Sequence, residues 1–273
     1  MSVHDQSNNK KVTVPLLKEM KKQGQKIVAL TAYDFLTARS LDKAGVDIIL
    51  IGDSLGMVFQ GLESTLPVTL EQILYHTQAV RKGVSRAMVV ADMPFLSYQI
   101  SEAVAIENAG RLLKEGGANA VKIEGGTHIV PIADKLIKIG IPVIGHIGLT
   151  PQSINQFGSY KVRAKEEKEA AELLSAAKAL DDIGVAAIVL EKIPAGIAAN
   201  ITSAIETPTI GIGAGNDCDG QILVTEDMLG IFDDFKPKFV RRYANLSDNI
   251  RNAVEQYVSD VREKNFPADD ESY

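Results

Sequence analysis

Eight short apolar, β-branched runs recur along this chain, at 27–31, 47–51, 87–91, 120–123, 142–147, 186–190, 209–212 and 221–224. Between them lie segments of helical period, among them 34–44, 70–83, 101–116, 129–139, 166–183 and 194–205. Several of these stop at a glycine (Gly45, Gly83, Gly140 or Gly184), as helix C-termini often do. Strands this continuously apolar are covered on both faces, and a βα repeat makes them parallel. Eight of them in 273 residues fit one closed (β/α)8 barrel, a fold of roughly 250 residues, better than the alternative, an open doubly wound sheet. A single barrel domain over 1–273 is expected, with 1–11 and 265–273 flexible. The apolar spacing predicts a leading helix within 12–24 and a terminal amphipathic helix over 246–264. The apolar face of that last helix, Ile250, Ala253, Val254, Tyr257 and Val258, needs a covering surface on its own barrel or on a neighbouring subunit.

A parallel barrel carries its active site at the C-terminal ends of its strands, so the residues that end each run are the candidates. The second run ends in Gly52-Asp53-Ser54, the third at Asp92, the fourth in Val121-Lys122-Ile123-Glu124-Gly125-Gly126, the fifth reaches His146 and the sixth ends at Glu191. Alternation puts Lys122 and Glu124 on one face of their strand. Two opposite charges there form either a structural pair or part of a site. Asp53, Asp92 and Glu124 come from successive strands, and three carboxylates brought together repel unless a cation joins them. Oxygen donors favour Mg2+ or Mn2+ over zinc. Taken singly, Asp53 or Asp92 could instead cap the following helix. His146 is either a satisfied core histidine or a member of the site, His76 is structural, and His128 is a solvated loop residue.

Composition narrows the function. The net charge of −6, with no long basic run, argues against nucleic acid or an anionic membrane as partner. No apolar run approaches the length of about 18 residues that a membrane span requires. The lone Cys218 cannot form an internal disulfide, and the N-terminus lacks the apolar core of a signal peptide, so the cytosol is the expected compartment. Gly211-Ile212-Gly213-Ala214-Gly215 imitates a dinucleotide fingerprint, but it follows the seventh strand and not the first, and the chain then turns through Asp217-Cys218-Asp219-Gly220. Those glycines are read as close backbone approach at the barrel mouth, where a ligand touches main chain.

With these positions marked, the chain resembles the ketopantoate hydroxymethyltransferase family from Val14 to about Tyr257. The resemblance is carried by Leu30-Thr31-Ala32-Tyr33-Asp34, Gly52-Asp53-Ser54-Leu55-Gly56, Ala91-Asp92-Met93-Pro94-Phe95, the Val121–Gly126 stretch, Gly145-His146-Ile147-Gly148-Leu149-Thr150-Pro151-Gln152, and the glycine run with Asp219-Gly220-Gln221. The resemblance implies a (β/α)8 barrel of the phosphoenolpyruvate/pyruvate type. It implies Mg2+ held by Asp53 and Asp92, with Glu124 completing the shell directly or through water. Asp53, Ser54, Asp92, Lys122 and His146 would line the site of the 2-oxoacid 3-methyl-2-oxobutanoate, Glu191 would be the proton acceptor, and 5,10-methylenetetrahydrofolate would be the co-substrate. The family also implies a homo-oligomer, a decamer of two pentamers. Lys192 departs from the pattern, since the family often has a smaller residue there. Strand alternation points it away from Glu191, and little consequence is expected. Rival readings are a Mg2+-dependent 2-oxoacid lyase or mutase on the same barrel, a Schiff-base aldolase with Lys122 as nucleophile, and a catalytically silent barrel scaffold.

Overall fold

The computed structural model describes residues 10–232 and 236–273. The flexible leader expected at 1–11 lies, through residue 9, outside the described residues. Eight strands, β1 (Ile27–Thr31), β2 (Ile48–Ile51), β3 (Met88–Asp92), β4 (Ala120–Glu124), β5 (Val143–Gly148), β6 (Ala187–Glu191), β7 (Thr209–Ile212) and β8 (Gly220–Leu223), pair in parallel in chain order, and β8 closes on β1. The open sheet is thereby excluded. The helices are α1 (Val14–Lys22), α2 (Phe35–Ala44), α3 (Leu55–Val58), α4 (Leu70–Gly83), α5 (Glu102–Lys114), α6 (Val130–Lys138), α7 (Ile154–Phe157), α8 (Glu167–Asp182), α9 (Ala195–Ala204), α10 (Thr225–Leu229) and α11 (Leu246–Arg262). Among the described residues none is long and apolar enough to cross a membrane.

The chain divides into two compact units, Met1–Val224 and Thr225–Tyr273. The first contains the barrel. Its helices start and stop on local chemistry. Asp34 accepts from the Leu36 and Thr37 N–H groups at 2.7 and 3.0 Å to cap α2, which ends at Gly45 in the left-handed conformation. Thr69 and Gln72 form a reciprocal capping box on α4. Helix α1 buries Leu17 and Met20, and these join one apolar cluster with Ile27, Ala29, Ile48, Met88 and Ala186 near the strand starts. That cluster lies at the end of the barrel where the strands begin.

Parity then decides what faces the barrel interior. Leu50, Val90, Ile144 and Val189 surround an interior layer that also includes Lys122. Two residues further along their strands, on the same face, come Asp92, Glu124, His146 and Glu191. The register aligns Asp92 with Lys122, Glu124 with His146, and Gly148 with Glu191. Charge therefore sits one step above an apolar floor, and all of it points inward.

The second unit holds α10 and α11. The Tyr243 N–H donates to Met228 O at 2.8 Å, and the Ser247 N–H to Gly230 O at 2.9 Å. Ile250, Val254, Tyr257 and Val261 form an exposed apolar stripe along α11.

Candidate active site

The strand-end residues named from the sequence do converge. Lys122 reaches Asp92 Oδ1 at 2.9 Å and Glu124 Oε1 at 3.1 Å, and all three side chains are buried. His146 places Nδ1 3.1 Å from Glu124 Oε1 and Nε2 3.3 Å from Glu191 Oε2. Asp53, just past β2, is tied to its neighbour strand because its own N–H donates to Asp92 Oδ2 at 3.0 Å. Ser54 follows it, with Oγ 2.8 Å from the Tyr33 hydroxyl. A side chain at Gly52 would bring a Cβ to 2.7 Å from Ser54 Oγ and 3.8 Å from Asp92 Oδ2, so glycine there lets the strand end lie against the site.

Burial and charge act in opposite directions here, and the balance differs from group to group. For Asp53, burial and then the charges of Asp92 and Glu124 push the carboxyl well above the usual carboxylate range. Asp92 is also raised by burial, against the pull of Lys122. Glu124 goes the other way: burial would raise it, but Lys122 and then His146 outweigh that and hold it at about 2. Burial and the nearby Lys122 would lower His146, yet the Glu124 charge and hydrogen bond, with the Glu191 carboxylate in close contact, lift it to about 9. Lys122 is raised well above an ordinary lysine, because Asp92, Glu124 and Asp53 outweigh its desolvation. A protonated Lys122 is a poor nucleophile, which removes the basis for a Schiff-base reading.

Gln152 and Tyr98 hold this cluster in place, and neither was singled out from the sequence as a site residue. Gln152 donates through Nε2 to Asp53 Oδ2 and to Met93 O, both at 3.0 Å, while its N–H donates to Glu124 Oε2 at 3.0 Å. The Tyr98 hydroxyl lies 2.9 Å from Glu124 O and 3.0 Å from Gln152 Oε1, and accepts from the Glu124 N–H at 3.0 Å. Tyr98 acts from a loop and Gln152 from a single 3-10 turn, Pro151–Ser153, and no local periodicity encodes the path of either. The one signal for Gln152 is its place in the Gly145–Gln152 stretch that carries the family resemblance.

A divalent cation fits this donor set. Asp53, Asp92, Glu124 and Glu191 oppose Lys122 and a protonated His146, which leaves two negative charges in excess when every acid is ionised. Asp92 Oδ1 is also buried without a well-aligned hydrogen bond, its Lys122 contact being ionic. Among the described residues no three His, Cys, Asp or Glu side chains are arranged to hold a metal by themselves. Asp53 and Asp92 therefore carry the fit. Glu124 has Oε1 against Lys122 and His146 and Oε2 against the Gln152 N–H, which favours the indirect of the two roles expected for it.

The remaining sequence candidates fall outside the site. His76 is buried with Nδ1 2.6 Å from Tyr33 O, a structural role, and His128 is exposed. Cys218 is buried, and its carbonyl accepts from Lys26 Nζ at 2.6 Å beside the start of β1, at the end of the barrel away from Glu191. The reading of the Gly211–Gly215 run needs correcting at two positions. A Cβ at Gly211 would meet Cys218 Sγ at 2.9 Å, and one at Gly215 would meet Ala195 Cβ at 2.6 Å, so protein packing and not ligand contact accounts for these glycines. Lys192 also differs from expectation. Its φ of +46° breaks the strand alternation, and its Nζ donates to Tyr160 O at 2.5 Å.

A closed parallel barrel is the class of fold shared with several solved enzymes. Phosphoenolpyruvate phosphomutase from Streptomyces platensis subsp. rosaceus superposes with a TM-score of 0.60 at 14% identity, over 92% of this chain and 88% of that one. Phosphonopyruvate hydrolase, solved in complex with oxalate and Mg2+, gives 0.60 at 13% identity over 94% and 92%. A 2,3-dimethylmalate lyase of the PEP mutase/isocitrate lyase superfamily gives 0.58 at 17% over 95% and 91%. At such identities the likeness concerns fold alone. The chain itself belongs to the ketopantoate hydroxymethyltransferase family, whose sequence model matches residues 11–269. Its relatives named 3-methyl-2-oxobutanoate hydroxymethyltransferase include one from Prosthecochloris aestuarii, 58% identical over 96% of each chain. Another, from Chlorobium phaeobacteroides, is 54% identical over the full length of both.

Proposed function

We propose that this protein transfers a one-carbon unit from 5,10-methylenetetrahydrofolate to 3-methyl-2-oxobutanoate, giving 2-dehydropantoate and tetrahydrofolate. The observation that carries the reading is the inward convergence of Asp53, Asp92, Lys122 and Glu191 on one rim, in a chain of this family.

Glu191 takes the proton from carbon three of the oxoacid. His146 Nε2, 3.3 Å away, faces its carboxylate and orients it toward the rim. Lys122 sits below the rim with a fixed positive charge that offsets the substrate carboxylate and the enolate charge. Ser54, oriented by the Tyr33 hydroxyl, offers a hydrogen bond to the oxoacid. Asp53 and Asp92 would hold Mg2+, which when bound supplies Lewis acidity toward the oxoacid's oxygens. Carbon three then bonds to the one-carbon unit, whose two bonds to folate nitrogens both break; water supplies the hydroxyl, and the proton taken by Glu191 together with the second proton of that water ends on the two nitrogens. No change of redox state is involved.

The apolar stripe of α11 supports self-association, and the proposed state is the decamer of two pentamers. The unpaired Cys218 suits the cytosol. The test is tetrahydrofolate release by the purified protein from both substrates with Mg2+, and its loss in chelator. A folded protein that releases no tetrahydrofolate, or releases it equally well in EDTA, would overturn the proposal.

A further inference from the structure

Lys192 is held at three points. Its N–H donates to Ile212 O at 2.9 Å, its carbonyl accepts from the Arg163 N–H at 2.8 Å, and its Nζ donates to Tyr160 O at 2.5 Å. The last two contacts both fall on the segment 158–165, which crosses from α7 to α8. The left-handed backbone of Lys192 is what allows this. An extended residue after Glu191 could not turn its carbonyl and its side chain toward the same strap. The far side of the strap has its own anchors: the Arg163 guanidinium stacks over Phe157 at 4.0 Å and pairs with Glu169, which also accepts from the Ala164 N–H at 2.6 Å. The end nearer the site depends on Lys192.

That end carries Tyr160, an exposed aromatic residue. Its carbonyl oxygen accepts from the side chain of Lys192, the residue directly after the end of β6 at Glu191, so Tyr160 stands beside the strand-end rim. Flat heteroaromatic ligands favour an aromatic face of this kind.

We infer that Lys192 is a positioning residue: it pins the 158–165 strap across the barrel mouth so that Tyr160 forms the wall against which the heteroaromatic one-carbon donor seats. The inference rests on the proposed transfer reaction, but its mechanical half can be tested without substrate. Lys192→Met keeps the aliphatic stem and removes the donor, while Lys192→Arg retains one. In Lys192→Met, tryptic cleavage after Lys161 and Arg163 should accelerate, and Lys192→Arg should restore protection. The KM for the one-carbon donor should rise about ten-fold, the effect of losing one charged hydrogen bond. Deuterium exchange at carbon three with the oxoacid alone should be unchanged. Tyr160→Ala should reproduce the rise in donor KM with its backbone contact intact. Unaltered cleavage in Lys192→Met overturns the clamp whatever the substrate proves to be. Faster cleavage with an unchanged donor KM overturns the role of Tyr160. Loss of exchange in parallel with turnover would mean that Lys192 acts on Glu191 instead. A wild-type protein that exchanges the oxoacid proton but releases no tetrahydrofolate would refute the reaction and leave the clamp standing.

Discussion

His146 on β5 presents Nε2 to Oε2 of Glu191 on β6 at 3.3 Å, while its Nδ1 contacts Glu124 on β4. One imidazole thus joins the carboxylates of both neighbouring strands. Its pKa of about 9 lies above the ordinary value of 6.5, so it is charged at neutral pH. A group raised in the folded state stabilises fully below its unfolded pKa and loses that stabilisation as pH rises through the folded one. Stability should therefore decline from about pH 6.5 to about 9, and carbon-three exchange should fall as pH passes about 9. His146→Gln should exchange more slowly at neutral pH and lack this alkaline step, a difference that exchange and melting profiles over pH 6–10 would reveal. An identical alkaline limb in the variant would contradict the assignment.

Asp53 makes a different prediction. Burial and the adjacent acids raise its carboxyl, so Mg2+ competes with protons for this group. Calorimetric titration in buffers of different ionisation enthalpy should show proton release, with affinity rising with pH. Asp53→Asn should bind Mg2+ poorly while its metal-free form melts no lower than wild type, since a neutral amide suits this buried site beside Asp92 and Glu124 at least as well as a carboxyl whose charge they disfavour. A markedly lower melting temperature would argue that Asp53 is held by its Gln152 contact for stability alone.

Lys122 is the group whose removal the apo fold should tolerate least. It pairs with both Asp92 and Glu124 in a buried setting, and Lys122→Met would strand two acids at a cost of about 3–5 kcal/mol. The deficit should shrink as pH falls and those acids take up protons. Denaturant unfolding at pH 7 and pH 5 measures both effects.

Much of this was legible in the chain because parity carries it. Apolar runs that end in a charge, such as Val121-Lys122-Ile123-Glu124, fix strand, face and rim together once β4 is placed beside β3 and β5. What local sequence could not reveal depends on contacts over long separations or on backbone outside the regular regions. Gln152 reaches Asp53 across 99 positions, and no periodicity marks it. Lys192 lies outside the reach of the alternation rule, which assumes extended backbone, because its φ is +46°.

Gly148 illustrates how tightly that backbone is set around the base. It has a φ of +97°, and a Cβ there would lie 2.4 Å from Glu191 O and 2.9 Å from Ile193 Cγ2. Gly148→Ala should cost at least about 1–2 kcal/mol from the left-handed conformation alone. It should also lower kcat by displacing the end of β6. Thermal melting and steady-state kinetics would detect the two effects together; a loss of stability with kcat unchanged would separate this glycine from the positioning of Glu191.

The central claim is that Glu191 removes the proton from carbon three, and it is tested most directly by NMR detection of deuterium incorporation at that carbon of 3-methyl-2-oxobutanoate in D2O with Mg2+. Wild-type protein should exchange the proton without any folate present, and Glu191→Gln should abolish exchange while still binding the oxoacid. Exchange at the wild-type rate in Glu191→Gln would contradict the account.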